Sequence, residues 1–331
     1  MNFSAIIITI LILAVGVLMV FLVKNVVLPK HAASASNSRN KTRNLQAMRN
    51  AKAVLEKDPQ NAEAHYQLGK AFLADGRNEQ ALREFRSVSR LGIDGKNIPE
   101  SEFRESIAAL YAEFHEEEEA LKEYVILIKK QPDNPEYYFR AGKLFSNRNR
   151  GDLAEQYLRK AISLNPKDGR YRFELGMHYY LSKHVKEAST EFEAAIKLNP
   201  EDSHVQLYMG KILKDGKDYA GALPYLEKAS RDQDVKLRAL VELGSCYMSL
   251  RMIDKAIVEL ERAVNVIEKE ADLDSLYARY FLAMCYEKHQ DFPKAIAQWD
   301  RIYSQKKNFR DVGAKLTQYI EYRTSEKESH K

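Results

Sequence analysis

Eight histidines and two cysteines are the side chains of this 331-residue chain best suited to chemistry, and their spacing is where a search for a reaction starts. Cys246 and Cys285 stand apart, and no CxxC pair exists from which a zinc site or a disulfide framework could be built. They occupy the same offset of two successive repeats, a placement that suits a small apolar side chain buried in a core. His115 precedes Glu116, Glu117, Glu118 and Glu119, a donor set that a cation could use. The run falls between two helical segments, however, where a solvated acidic turn is the ordinary outcome. The other histidines are scattered, with no HExxH, and no nucleophile, base and orienting group recur at workable spacing. No catalytic residue, metal ligand or cofactor is therefore expected, and the chain reads as non-enzymatic.

What the chain offers in place of chemistry is repetition. "AISLNPKDGRYRFELG" begins at Ala161 and "AIKLNPEDSHVQLYMG" at Ala195, 34 residues apart. In one common frame repeats begin at Ala62, Ser101, Pro135, Gly169, Ser203, Leu237 and Leu276, and those from Ser101 through Glu270 abut without a gap. Charged residues make up 30% and apolar ones 45%, with only 14 glycines, which is the profile of a helical protein. The fold class expected is all-α. Gly69, Gly142, Gly176, Gly210 and Gly244 recur inside one helix of their repeats, where glycine costs about 1 kcal/mol against alanine unless a second helix needs the space. Ala81, Ala154, Ala188, Ala222 and Ala256 supply that second helix, and Pro132, Pro166 and Pro200 end it.

These residues resemble the tetratricopeptide repeat, whose pattern runs aromatic, Leu-Gly, Tyr, Ala, aromatic or Leu, Ala, Pro. In the third repeat it falls on Tyr138, Ala141-Gly142, Phe145, Ala154, Leu158, Ala161 and Pro166. In the fourth it falls on Leu175-Gly176, Tyr179, Ala188, Phe192, Ala195 and Pro200. The resemblance implies an α-solenoid of about seven helix-turn-helix repeats over 62–309. A capping half-repeat is expected at 44–61 and a capping helix at 310–323, before a disordered tail, 324–331. Repeats five to seven lack the closing proline, which is expected to lengthen or redirect their helices.

In this family the first helices line a concave face, and ligands meet the second, fifth, ninth, twelfth and thirteenth positions of each repeat. Carried over by offset, the resemblance implies a peptide-binding groove at Phe139, Lys143, Arg170, Phe173, Met177, Tyr180, Leu207, Lys211, Arg238, Val241, Tyr280 and Met284, with acidic Glu63, Glu102, Glu105 and Glu136 toward its start. Aromatic, Met and basic side chains there suit a protein or peptide ligand with apolar anchors and acidic flanks. The carboxylate clamp of two Lys, two Asn and one Arg found in chaperone-binding members has no counterpart in consecutive first helices.

Ahead of the repeats lies "AIIITILILAVGVLMVFLV", Ala5 to Val23, without a charge. Nineteen helical residues span roughly 28 Å, the thickness of a bilayer's hydrocarbon core. Residues 1–4 carry no basic group and the first Ala-x-Ala candidate for cleavage, Ala33 to Ala35, lies far downstream, so a retained transmembrane helix is expected over a cleaved signal peptide. From Lys24 to Lys57 there are eight Lys or Arg against one Glu, +7, leaving −2 for everything from Asp58 on out of a net +5. Residues 24–43 thus read as a basic flexible tether, and the positive-inside rule puts the repeats in the cytoplasm. The repeats themselves carry no field that would attract nucleic acid.

The sequence therefore predicts a single-pass membrane protein of a bacterial inner membrane, a scaffold binding partners through the concave groove and lipid through residues 5–23. Its layout is similar to that of the bacterial lipopolysaccharide assembly protein B family, whose C-terminal rubredoxin-like metal domain has no match here. Two other readings stay open: a periplasmic assembly factor, if the apolar segment is cleaved, and a receptor of the mitochondrial outer-membrane type, which shares the topology.

Overall fold

The computed structural model describes residues 28–93 and 97–319, with side chains from residue 41 onward. The apolar segment 5–23 and the tail 324–331 lie outside the described residues. Among the described residues every regular element is a helix, and none is long and apolar enough to cross a membrane. The chain divides into two compact units, one reaching Pro132 and one beginning at Asp133.

The first unit holds α1 (Leu28–Lys57), α2 (Ala62–Ala74), α3 (Asn78–Leu91), α4 (Glu100–Glu113) and α5 (Glu117–Lys130). The second holds α6 (Pro135–Asn147), α7 (Gly151–Leu164), α8 (Gly169–Leu181), α9 (Val185–Leu198), α10 (Ser203–Asp215), α11 (Tyr219–Ala229), α12 (Lys236–Ser249), α13 (Ile253–Asn265), α14 (Leu273–Lys288) and α15 (Phe292–Gln305). A last helix, α16, is described over 312–319. From α2 to α15 successive helices pair into seven hairpins, each a first and a second helix.

The helical glycines mark the crossing within each hairpin. A Cβ on Gly176 would lie 2.6 Å from the ring of Phe192, and one on Gly142 would lie 2.8 Å from Cγ of Leu158, so the two helices meet closer than any side chain permits. Around that contact Ala154, Leu158, Ala161, Ala188, Phe192 and Ala195 are wholly buried, and this stripe is what each hairpin has to offer its neighbours.

The turn inside each hairpin is set by a device that the residue types conceal. Gly76, His115, Asn149, Lys183, Lys217, Arg251 and Gln290 all have positive φ, between 55° and 72°, at the fifteenth position of their repeats. The next amide reaches back five residues, as His184 N does to Tyr179 O (2.9 Å), while Lys183 N bonds Tyr180 O (3.1 Å). This is the Schellman ending, in which a left-handed residue satisfies the last carbonyls of the helix. Only the first hairpin uses glycine for it. At the other end Asn61, Asn134, Asp168 and Asp202 cap α2, α6, α8 and α10; Asp168 Oδ1, for instance, accepts from the amide of Arg170 at 3.0 Å.

Two expectations change. The helix expected to start near residue 44 starts at Leu28, so the segment read as a flexible tether is helical from there. Its Ala, Lys and Arg content favours helix, and extending an existing helix avoids the cost of nucleation. α11 ends at Ala229 and is shorter than its counterparts at 11 residues, although the closing proline is missing. Asp232 accepts Ser203 Oγ and the amide of Asp234, which draws the chain into a turn at that point. The five residues Ala271 to Ser275, an insertion between the sixth and seventh 34-residue frames, lengthen the first helix that follows, so that α14 begins three residues ahead of its repeat frame and has 16 residues.

Candidate peptide-binding face of the second unit

Position along a helix decides which first-helix residues can be reached. The second, fifth or sixth, and ninth residues of a first helix lie one turn apart on one face. In α6, α8 and α10 that face carries Phe139, Phe173 and Tyr208, all half-buried on the core below.

Around Phe139 the Tyr171 ring lies 4.9 Å away between centroids, with the Arg170 guanidinium 5.7 Å and the Lys143 ammonium 5.8 Å from its centre. Phe173 meets Tyr208 at 5.9 Å and Phe192 at 5.8 Å, and Tyr208 meets Tyr180 edge-on at 5.6 Å. Burial pushes the Tyr180 phenol up to about 12, and its hydroxyl donates to Asp215 at 3.4 Å. Lys211 stands 5.6 Å from the Tyr208 ring centre. The sequence-predicted residues Phe139, Lys143, Arg170, Phe173, Met177, Tyr180 and Lys211 are thus brought onto adjoining first helices and stay at least partly accessible.

Arg238 and Met284, on α12 and α14, are partly exposed as well. Leu207, Val241 and Tyr280 are corrections. They are 1%, 6% and 8% exposed and belong to the core. Leu207 and Val241 sit at the fifth position, which in α10 and α12 turns under the neighbouring first helix. Tyr280 donates to Asp311 Oδ1 at 2.8 Å, and its ring lies edge-on to Trp299 at 5.2 Å, so it joins the last hairpin to the segment leading into α16.

The basic side chains of this face are balanced from within. Lys143 Nζ lies 3.2 Å from Glu174, and Lys211 Nζ lies 3.6 Å from Glu242, which also pairs with Lys214. Arg170 pairs with Asp168 at 2.6 Å and with Glu136 at 3.3 Å. Burial holds the Asp274 carboxyl above the ordinary range, while Arg238 and Lys211 pull it down. Glu174, Glu242 and Tyr208 share the sixth position, and sequence reasoning missed all three because only the fifth was carried over. Tyr208 was signalled by its i, i+3 relation to Lys211, whereas Glu174 and Glu242 pair with the ninth-position lysines of the preceding repeat, Lys143 and Lys211, which the spacing within one helix does not show. Asp274 was hidden because it lies in the helical extension that the insertion adds.

The other chemical candidates resolve as packing and turns. His115 is the left-handed residue of its hairpin, Glu116 pairs with Arg86, and Glu117 to Glu119 begin α5, where carboxylates complement the helix dipole. Burial pushes the thiols of Cys246 and Cys285 up to about 12, which leaves them protonated and inert.

Comparison with known proteins gives a consistent picture. Tetratricopeptide repeat family models match residues 43–91 and 213–280, and residues 107–169, 139–203 and 173–234. Anaphase-promoting complex subunit 3 of Schizosaccharomyces pombe is 26% identical over 169 residues, which is 51% of this chain and 25% of that protein. The chain therefore spans about a quarter of the length of that curated relative. Among solved structures, the APC/C hetero-tetramer Cut9-Hcn1 superposes with a TM-score of 0.56 at 16% identity, covering 84% of this chain and 53% of that one. Yeast Tom70 gives 0.52 at 17%, over 87% and 60%, and pilF of Pseudomonas aeruginosa gives 0.51 at 21%, over 65% and 94%. At these identities the likeness concerns the fold.

Proposed function

The chain belongs to the tetratricopeptide repeat family, and we propose that it is a non-catalytic scaffold, held to a membrane by residues 5–23, which binds peptide segments of other proteins on the first-helix face of its second unit. The observation that carries this reading is the run of half-buried aromatic side chains, Phe139, Phe173, Tyr208 and Tyr180, with Lys143 and Arg170 beside the first and Lys211 beside Tyr208. Rigid rings offer contact area at low entropic cost. A ligand carboxylate reaching Lys143 or Lys211 has to displace Glu174 or Glu242. Apolar anchors therefore supply most of the affinity, and acidic flanks select among ligands by exchanging with those glutamates.

Anchoring and orientation rest on the uncharged length of 5–23 and on the basic residues that follow it, which favour a cytoplasmic location for the repeats at a bacterial inner membrane. The test is proximity labelling in native membranes with the full chain and with the triple variant Phe173→Ala, Lys211→Ala, Arg238→Ala. Loss of a discrete set of labelled proteins is expected. An unchanged set would remove the groove from the proposal. Sequencing the N-terminus of the membrane-extracted protein separates an intact anchor from a cleaved leader.

A further inference from the structure

Among the described residues α1 is a second helix without a first. In each hairpin the twentieth, twenty-fourth and twenty-seventh residues lie beneath the first helix: Ala81, Phe85 and Val88 in the first, Ala188, Phe192 and Ala195 in the fourth, all at most 1% exposed. Thirty-four residues earlier the same positions are Ala47, Ala51 and Val54 of α1, which ends at Lys57 as α3 ends at Leu91. The preceding first helix would occupy residues 28–40, yet those residues continue α1 itself. Among the described residues the face is covered at Ala51, which is 6% exposed, and open beside it. Val54 is 42% exposed where Val88 is fully buried, and a cavity of ≈ 440 Å³ lies between α1 and α2, lined by Ala47, Asn50, Ala51 and Val54 together with Glu63 and Gln67.

The intact hairpins specify what fits there. The fourth residue of a first helix meets the twenty-third of its second helix: His65 with Glu84 at 2.6 Å, Arg172 with Glu191 at 2.9 Å, Arg279 with Gln298 at 2.8 Å. In α1 that place belongs to Asn50. The eighth residue faces the twenty-fourth and must be small because Phe85, Leu158 or Phe192 fills the space. In α1 the twenty-fourth is Ala51, so the complementary residue must be large. The ninth residue, a lysine in three repeats, reaches the second or sixth residue of the next first helix: Lys70 to Glu102 at 2.6 Å, Lys143 to Glu174 at 3.2 Å, Lys211 to Glu242 at 3.6 Å. The next first helix here is α2, with Glu63 and Gln67 at those two places.

We infer that this slot receives an amphipathic helix of a partner protein, bearing a hydrogen-bonding residue, a bulky apolar residue four positions later, and Lys or Arg directly after it. By sequence, residues 28–40 are a poor occupant, from this copy or another. In register they supply Ala35 at the eighth position, small against small, and Ser34 and Ser38 where Leu68 and Phe72 stand in the next repeat. The site is separate from the face proposed for the second unit and stands or falls without it.

The probe is a capped peptide copying α2, Ala62 to Ala74, stapled on its outer face, in its parent form and with Gly69→Leu. Both carry His at the fourth place and Lys at the ninth. Binding to the purified full chain is measured by fluorescence anisotropy. The leucine peptide is expected to bind about tenfold or more tighter than the parent, the worth of one buried leucine. In the Ala51→Phe protein the order reverses, because the ring takes the space. Glu63→Lys, an exposed change that leaves the fold intact, weakens the leucine peptide several-fold, and a Lys70→Glu change in the peptide restores it. Equal affinity of the two peptides, or a leucine peptide indifferent to Ala51→Phe and Glu63→Lys, overturns the inference. So does a dimer of the free full chain in sedimentation that Glu63→Lys dissolves, since a second copy would then hold the slot.

Discussion

The left-handed hairpin turns offer the sharpest test of how this chain stores and loses stability. Lys183, Lys217 and Arg251 sit at φ 66°, 67° and 60° in three separate hairpins of the second unit. Holding a side chain with a Cβ in that region costs about 1–2 kcal/mol, and glycine escapes this cost. Glycine in turn loses more freedom on folding, by roughly 0.5–1 kcal/mol. The net gain is therefore about 0.5–1 kcal/mol at each turn. Because the three lie in different hairpins and share no partner, the gains should add to about 2 kcal/mol in the variant Lys183→Gly, Lys217→Gly, Arg251→Gly. Urea unfolding followed by circular dichroism at 222 nm measures this as a rise in midpoint at unchanged slope. Glu193→Gly, on an exposed helical position of α9, is the control and should cost about 1 kcal/mol. A triple variant no more stable than the parent, beside a control that behaves as stated, would refute the reasoning, because the turns would then carry no strain to release.

Other outcomes follow from the same contacts. Leu207→Ala should destabilise by about 2–5 kcal/mol in urea unfolding, as a core truncation does, whereas loss of binding at full stability would return Leu207 to the groove. Burial holds the His178 imidazole below its ordinary value, with its Nδ1 3.1 Å from Ser146 Oγ and Glu155, Glu174 and His184 as the surrounding titratable groups. The unfolded chain then binds its proton first, so this contribution is complete above about pH 6.5 and falls away below it. Stability measured from pH 7.5 to pH 5 should decline less steeply in His178→Gln. Cys246 and Cys285 should resist alkylation at pH 8 in the folded protein and react once urea unfolds it; fast native labelling would contradict their burial.

How far the molecule was legible depended on whether a feature repeats. The 34-residue spacing, the glycines under Phe192 and Leu158, and the buried Ala154 and Ala188 could be read from type alone, since a close helix crossing tolerates few residues and the repeat prints the choice several times over. The turns could not. Lys183, Lys217, Arg251 and Gln290 carry no sign of a left-handed residue, because the hydrogen bonds of the helix end impose it against their own preference. The candidate face was readable in outline and misread in detail. Offset alone cannot distinguish Phe173, which remains reachable, from Leu207, which the neighbouring helix covers, and it gives no hint that Glu174 and Glu242 already hold the lysines.

By itself the sequence determined the class and period of the fold, because hydrophobic spacing and small-residue placement are local properties that recur along the chain. Tertiary structure decided accessibility and charge balance, which depend on what a neighbouring helix places three to six ångströms away. It also decided that residues 28–57 run as one helix, leaving Val54 exposed where its counterpart Val88 is sealed. A repeat's register states which face needs a partner, and only the packing shows whether the chain supplies one.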